Sequence, residues 1–547
     1  MTQFDTIIKN AHILTLDPSS TVAGSLAVSE GRITQVWKER DPGVDAEHVI
    51  DLQGKTLIPG FIDTHNHLLM YSQYLDQINC TAQLNRNVKD IQSRIEEETK
   101  HKEKGEWIIG WGYDDTLLAE KRHPTRAELD AVAPDHPVLI RHISSHFAVV
   151  NSFALELAEI PEDIQDPKAG HLGRDESGKL DGVLHEFGAM KLVDDVIPDY
   201  TVEELASLIE QGANDYLAQG ITTNSDAGVG LVKGFLEYKA HVKALAENKN
   251  PLKMRFLMLH HLLGEGGPFA GMKADEVDQR IQQETAGRAR LDSAKLFQDG
   301  SIQGLTGALR QPYFTRPELS GELSHDQDAF NEEVLDLHTR GFRIATHGNG
   351  DRAIGSIIDA YSSALQQEPR HHHRHRIEHV QTATIKDLQQ MKMNGIQASF
   401  FINHVYYWGD RHRDIFLGEE RANRLNPLKE AEELGMKFTL HSDCPITPIS
   451  PLFSIWAAVN RVTSSGEVLG EAQRIDAMTA LKSMTIWGAR LNFEEEEKGS
   501  IEIGKAADFA VLDQDPTTCD PMEIKDIEVE ATYIDGKCVF SRAELGT

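Results

Sequence analysis

Two rhythms of apolar and polar positions divide the 547-residue chain. Near both ends the positions tend to alternate, as on half-buried strands. DTIIKNAHILTLD, SLAVSEGRITQVW and HVIDLQGKTLIPG show it from residue 5 onward, with EGR and LQGK as turns. KGSIEIGKAADFAVLD and EVEATYIDGKCVF repeat it at the far end, where Asp535-Gly536 is a hairpin signal. Two strand-rich ends around a long middle predict a small β-sandwich domain assembled from residues 1–57 and 491–547.

The middle reads differently. Strands are predicted at GFIDTHNH (60–67) and over 221–227, 252–261, 292–301, 342–350, 374–381, 395–400 and 437–443. Helical patterns separate most of them. TVEELASLIEQGANDYLAQG and FNEEVLDLHTRG carry apolar residues at helical spacing and stop at Gly220 and Gly341. Eight strands alternating with helices predict an α/β fold, a TIM-like (β/α)8 barrel over residues 58–490. A doubly wound open sheet is the alternative. Residues from about 71 to 200 break the rhythm and read as an insertion after strand 1. Insertions at that end of a barrel shape the substrate site.

The formal net charge, 55 − 86 = −31, argues against nucleic acid and anionic membranes as partners. No apolar run reaches the length of a transmembrane helix. MTQFDTIIKNAHIL has no basic segment leading into an apolar core, so no signal peptide is expected. Cys80, Cys444, Cys519 and Cys538 form no Cys-x-x-Cys pair. That suits a reducing cytoplasm and argues against a zinc ribbon.

The chemistry enters at the strand ends. In GFIDTHNH, His65 and His67 share a strand face, because successive side chains alternate. Neutral imidazole is the commonest metal ligand among side chains, so this pair is half of a metal site. The other polar anomalies also lie in or at the C-terminal ends of predicted strands: Lys295 in AKLFQDGS, His347 in RIATHGNG, His379 in RIEHVQ and Asp443 in FTLHSD. Barrel active sites form at this face. Any one of these residues is unremarkable; six on five strands at one face predict a metal centre.

GFIDTHNH, AKLFQDGS, ATHGNGDRA, RIEHVQ and HSDCPITPISP together resemble the amidohydrolase superfamily. More narrowly, they resemble its branch of N-substituted formamide deformylases and related metal-dependent hydrolases. The likeness runs over almost the whole chain. It implies that His65, His67 and Asp443 hold one divalent ion, that His347 and His379 hold a second, and that Lys295 bridges them as a carbamate. An ammonium has no lone pair, which is why a ligating lysine must be modified. The other reading of Lys295 is a salt bridge to a carboxylate such as Asp299, with a single ion in the site.

The implied reaction is hydrolysis of a C–N bond in a small molecule by a metal-bound hydroxide. Asp443 would carry the proton from water to the leaving nitrogen. The bond would be amide-like: N-acyl, N-formyl, carbamate or cyclic amide. Zinc suits imidazole and carboxylate donors, and manganese, iron or nickel would also fit. An esterase or lactonase using the same site, and a barrel that binds a small molecule without catalysis, are the alternatives. His146 and His404 are candidate substrate contacts, the latter beside Tyr406, Tyr407 and Trp408. The run HHHRH, His371 to His375, reads as a solvated loop. A homodimer through exposed barrel helices is compatible with the pattern.

Overall fold

A computed structural model describes residues 4–82, 84–143, 147–167 and 170–542. The chain forms two compact units, Met1–Leu69 with Ile209–Thr547, and Met70–Leu208. No helix of the described residues is long and apolar enough to cross a membrane.

The larger unit is built around eight parallel strands, in the spatial order of the sequence. They are β1 (Phe61–Asn66), β2 (Ile221–Val229), β3 (Lys253–Leu259), β4 (Ala289–Phe297), β5 (Ile344–Gly348), β6 (Arg376–His379), β7 (Gln397–Phe400) and β8 (Thr439–Leu440). Parallel neighbours need a crossover between them, and helices such as Val202–Ala218 and Asp351–Gln367 run along the chain between successive strands. All eight strands are those expected from the pattern, and they form a nearly closed α/β barrel. β1 enters at close quarters. A Cβ on Gly60 would lie 2.2 Å from the Thr222 side chain, so only glycine fits there.

Both chain ends contribute to one six-stranded sheet. Thr56–Pro59, just ahead of β1, pairs antiparallel with Phe509–Leu512, Leu57 opposite Val511. Val529–Ile534 and Lys537–Ser541 continue that sheet on one side, His12–Leu14 and Val22–Ala23 on the other. A four-stranded sheet holds Phe4–Lys9, Ser25–Ser29, Arg32–Trp37 and Ala46–Asp51. Ile8, Leu26, Val28, Leu57, Phe509, Val511 and Tyr533 share one buried cluster, which joins residues from opposite ends of the chain. The smaller unit has its own six-stranded sheet and its own cores, one around Ile91, Ile95, Val138 and Ile140.

The histidine run is not a solvated loop. His371 and His372 are exposed, but His373 and His375 are buried. Their hydrogen bonds fix the tautomers. Ile344 N–H donates to His375 Nδ1 at 3.0 Å, so His375 Nε2 carries the proton and donates to His338 Nδ1 at 2.9 Å. His338 Nε2 then donates to Glu368 O at 2.7 Å. His373 Nδ1 accepts from His375 N–H, and its Nε2 donates to Asn394 O. Every ring is used as a neutral donor–acceptor. A count of charges in sequence cannot reveal this, because the same residues in a loop would be solvated.

This network makes the fold sensitive to acid. Burial, only partly opposed by the Asn394 carbonyl, pushes the His373 imidazole down to about 4. An unfolded histidine titrates near ~6.5. Below that pH the unfolded chain takes up a proton that the folded chain refuses until about 4, so stability is lost as pH falls through this window. His373→Asn keeps an acceptor for the His375 N–H but removes the titration. Between pH 7 and pH 5 it should lose up to about 2 kcal/mol less stability than the parent. Denaturant unfolding at the two pH values measures this, and equal losses would contradict it.

Candidate metal centre

The eight-strand sheet has two edges, β1 and β8, and side chains and loops join them at the C-terminal mouth. Thr64 Oγ1 donates to Thr439 Oγ1 at 3.0 Å, and Ser442 Oγ donates to Asp63 at 2.8 Å. Beyond β8, Asp443 N–H donates to His65 O at 3.2 Å. His67 N–H donates to Cys444 O at 2.7 Å. This seam places Asp443 against the histidine pair. His65 Nε2 and His67 Nε2 each lie 3.3 Å from Asp443 Oδ1.

The next histidines follow from β5 and β6. His379, His65 and Asp443 bring one donor atom each within 4.8 Å of one another. His379 Nε2 lies 2.8 Å from His347 Nδ1. His347 also meets Asn349 and the Gly300 carbonyl. Lys295, in β4, is buried, with its Nζ 5.0 Å from the centre of the Phe297 ring. Its Nζ makes no hydrogen bond among the described residues, and Asp299 does not supply one. Asp299 instead accepts backbone N–H groups from Ala308, Asn349 and Gly350.

The electrostatics keep the rings of His347, His379, His404 and His441 neutral. Burial, reinforced by Lys295, pushes the His347 imidazole down to about 3. Burial holds His379, His404 and His441 well below the ordinary range. Burial pushes the Asp443 carboxyl up, but the His65 and His67 rings facing it outweigh burial and hold it well below the ordinary carboxylate range. Burial and Lys295 depress His65, yet Glu378 and Asp443 raise it overall. Burial lowers the Lys295 amine to about 8 in spite of Glu378 and Asp443. A divalent ion fits this set. Asp443 Oδ1, His379 Nδ1 and Lys295 Nζ are buried polar atoms with no hydrogen-bond partner, and leaving such atoms unmatched costs about 1–3 kcal/mol each.

The backbone is strained where the donors converge. His379 and Val380 have φ of +70° and +49°, and Asp443 has +52°. Non-glycine residues rarely adopt this region, and such strain gathers at functional sites.

His404 begins the helix after β7 and is buried. Its ring centre lies 6.5 Å from that of His379, 4.1 Å from Phe401 and 5.6 Å from Trp408. Tyr406 and Tyr407 pack instead on Phe453. His146 lies outside the described residues. The sequence reading missed Glu378, whose Oε2 sits 2.8 Å from His65 Nδ1. The available signal was the pair Arg376 and Glu378, two charges on one face of a strand that must line a barrel. It also missed His412, which opens a π-helical turn and meets Gln381 at 3.2 Å. In the smaller unit, Asp115 Oδ1 and His142 Nε2 lie 3.1 Å apart, and burial holds that imidazole below its ordinary range.

The family model described as the amidohydrolase family matches residues 48–540. The chain is 32% identical to N-substituted formamide deformylase of Arthrobacter pascens, over 99% of both chains. It is 27% identical to the putative amidohydrolase YtcJ of Bacillus subtilis (strain 168), over 90% of both. A solved structure of an uncharacterized metal-dependent hydrolase from Pyrococcus horikoshii OT3 shares the fold. Its TM-score is 0.74 at 24% identity, covering 94% of this chain and 99% of that one. A match across nine-tenths of the sequence, on a barrel of this topology, settles the assignment: the chain belongs to the amidohydrolase family and is a hydrolase of carbon–nitrogen bonds other than peptide bonds.

Proposed function

We propose that the protein is a metal-dependent hydrolase that cleaves an amide-like C–N bond of a small molecule. The observation that carries this is the buried convergence of His65, His379 and Asp443 on one point, with His67 against Asp443 and His347 against His379. His65, His67 and Asp443 would hold one ion, and His347 and His379 a second. Lys295 would join them as a carbamate. Its burial and lowered amine pKa support that reading, because the neutral amine is the form that reacts with carbon dioxide. Zinc suits these donors. When bound, such an ion brings the pKa of water from near ~16 to about 7 and polarises a carbonyl.

The chain supplies the rest. Asp443 is ionised and faces the same point as the two imidazoles, so it can accept a proton from the attacking water. The water oxygen adds to the carbonyl carbon and the C–N bond breaks. The proton passes from Asp443 to the leaving nitrogen, giving a carboxylic acid and an amine. Phe401, His404 and Trp408 form an aromatic wall whose histidine is held neutral. That wall suits an apolar, ring-bearing substituent better than a carboxylate. The deformylase relative makes N-formyl amines the first class to assay. Four cysteines with no disulfide support a cytoplasmic location.

Two outcomes test the reading. Dialysis against a chelator should abolish turnover and lower the melting temperature, because an ion bound only by the folded state stabilises it by mass action. Added zinc should restore both, and a chelated protein with unchanged melting temperature and activity would refute the centre. Asp443→Asn separates proton transfer from metal retention. With ion content verified as full by metal analysis, the variant should stay about 10²–10⁴-fold slow in kcat. Near-normal kcat at full loading would remove Asp443 from the proton path.

A further inference from the structure

β6 brings two neighbouring residues against one centre. On a regular strand Glu378 and His379 would face opposite ways. Arg376 and Glu378 point into the barrel: Arg376 lies 3.5 Å from Asp292 of β4, donates to Thr64 O of β1 at 3.1 Å, and is fully buried. His379 leaves the strand with its backbone in the left-handed region. It thereby joins Asp443 and His65 while Glu378 remains in the interior. His65 therefore has a carboxylate beside each ring nitrogen, with Nε2 3.3 Å from Asp443 and Nδ1 2.8 Å from Glu378 Oε2. The other oxygen of Glu378 takes Arg376 Nε at 2.5 Å.

We infer that Glu378 is a positioning residue: its carboxylate stands beside Nδ1 of His65, keeps the ring proton on that side, leaves the Nε2 lone pair facing Asp443, and so sets the affinity of the centre without ligating the ion. This rests on the metal reading of the site. Carboxylates placed behind ligating histidines act in this way, and their loss costs metal affinity about 10–100-fold. A competing arrangement exists. Glu378, His441 and His65 also offer donor atoms within 4.8 Å of one another. An ion there would separate His65 from Glu378 and would sit beside the Arg376 guanidinium, which is already paired to the same carboxylate. Two positive charges at such short range in a buried site repel strongly. The geometry thus favours the Nε2 side. A third reading makes Glu378 only the counter-ion of Arg376.

Zinc affinity, measured by chelator competition, and the visible spectrum of the cobalt-loaded protein distinguish these. Glu378→Gln keeps the shape and weakens the acceptor. The double substitution Arg376→Met with Glu378→Met removes the acceptor and both charges together, so no lone guanidinium is left buried. Glu378→Gln should bind zinc about tenfold more weakly, with the cobalt bands unchanged in position. The double variant should be weaker still, by up to about 100-fold. If Glu378→Gln does not fold, the double variant decides alone. Parental affinity in the double variant would reduce Glu378 to a counter-ion and overturn the inference. Shifted cobalt bands in Glu378→Gln would make Glu378 a ligand and overturn it as well. A parent protein that takes up no zinc would instead refute the metal centre itself, and this inference with it.

Discussion

The barrel closes at one weak place, and the candidate donors gather there. β8 is two residues long and pairs in the ladder with β7. Its junction with β1 depends on hydrogen bonds from Thr64, Ser442, Asp443 and His67. These bonds are buried, where polar contacts are strong and an unmatched partner is costly. The same contacts set Asp443 opposite His65 and His67. Seam and donor cluster are therefore one structure, and whatever loosens the seam must also disperse the donors.

That coupling explains where the backbone is strained. A strand offers alternate residues to a face, but the mouth of the barrel needs side chains from successive positions to meet. Left-handed conformations turn the chain at His379, where β6 ends, and at Asp443, beyond β8. Neither residue is glycine, so each conformation costs about 1–3 kcal/mol and persists only because neighbours enforce it. At Asp443 the enforcing contacts are visible: its N–H bonds to β1, and its Oδ1 lies between two imidazoles.

The eight barrel strands were legible because each carries an apolar run bounded by helical periodicity. The strand-end residues stood out because polar side chains interrupt those runs. Other features had no such signal. Glu378 reads as an ordinary strand charge until β1 is folded against β6. The turn at His379 leaves no mark, because left-handed backbone is read from sequence through glycine. His373 and His375 were misread for a related reason. Histidine is polar on any scale, yet a neutral ring that donates once and accepts once can be buried without penalty when both atoms are matched.

The charged interior of the barrel is the remaining departure from expectation. Barrel cores are filled mainly by branched apolar side chains, but here Arg343, Asp292, Arg376 and Glu378 form a buried row. Arg343 meets Asp292 at 2.5 Å, and Arg376 lies between Asp292 and Glu378. Two cations alternate with two anions, so the row is neutral as a whole. Buried ion pairs of this kind add little stability, and apolar residues of similar volume often serve the fold better. Removing one member leaves an uncompensated charge, which is strongly destabilising. The row therefore resists change one residue at a time. At one end, the Arg343 guanidinium reaches the Leu491 carbonyl; at the other, Glu378 meets His65. A purely apolar core would have nothing to offer the inner nitrogen of His65. Ionic filling is the arrangement that sets a carboxylate beside that nitrogen and still balances its charge within the barrel.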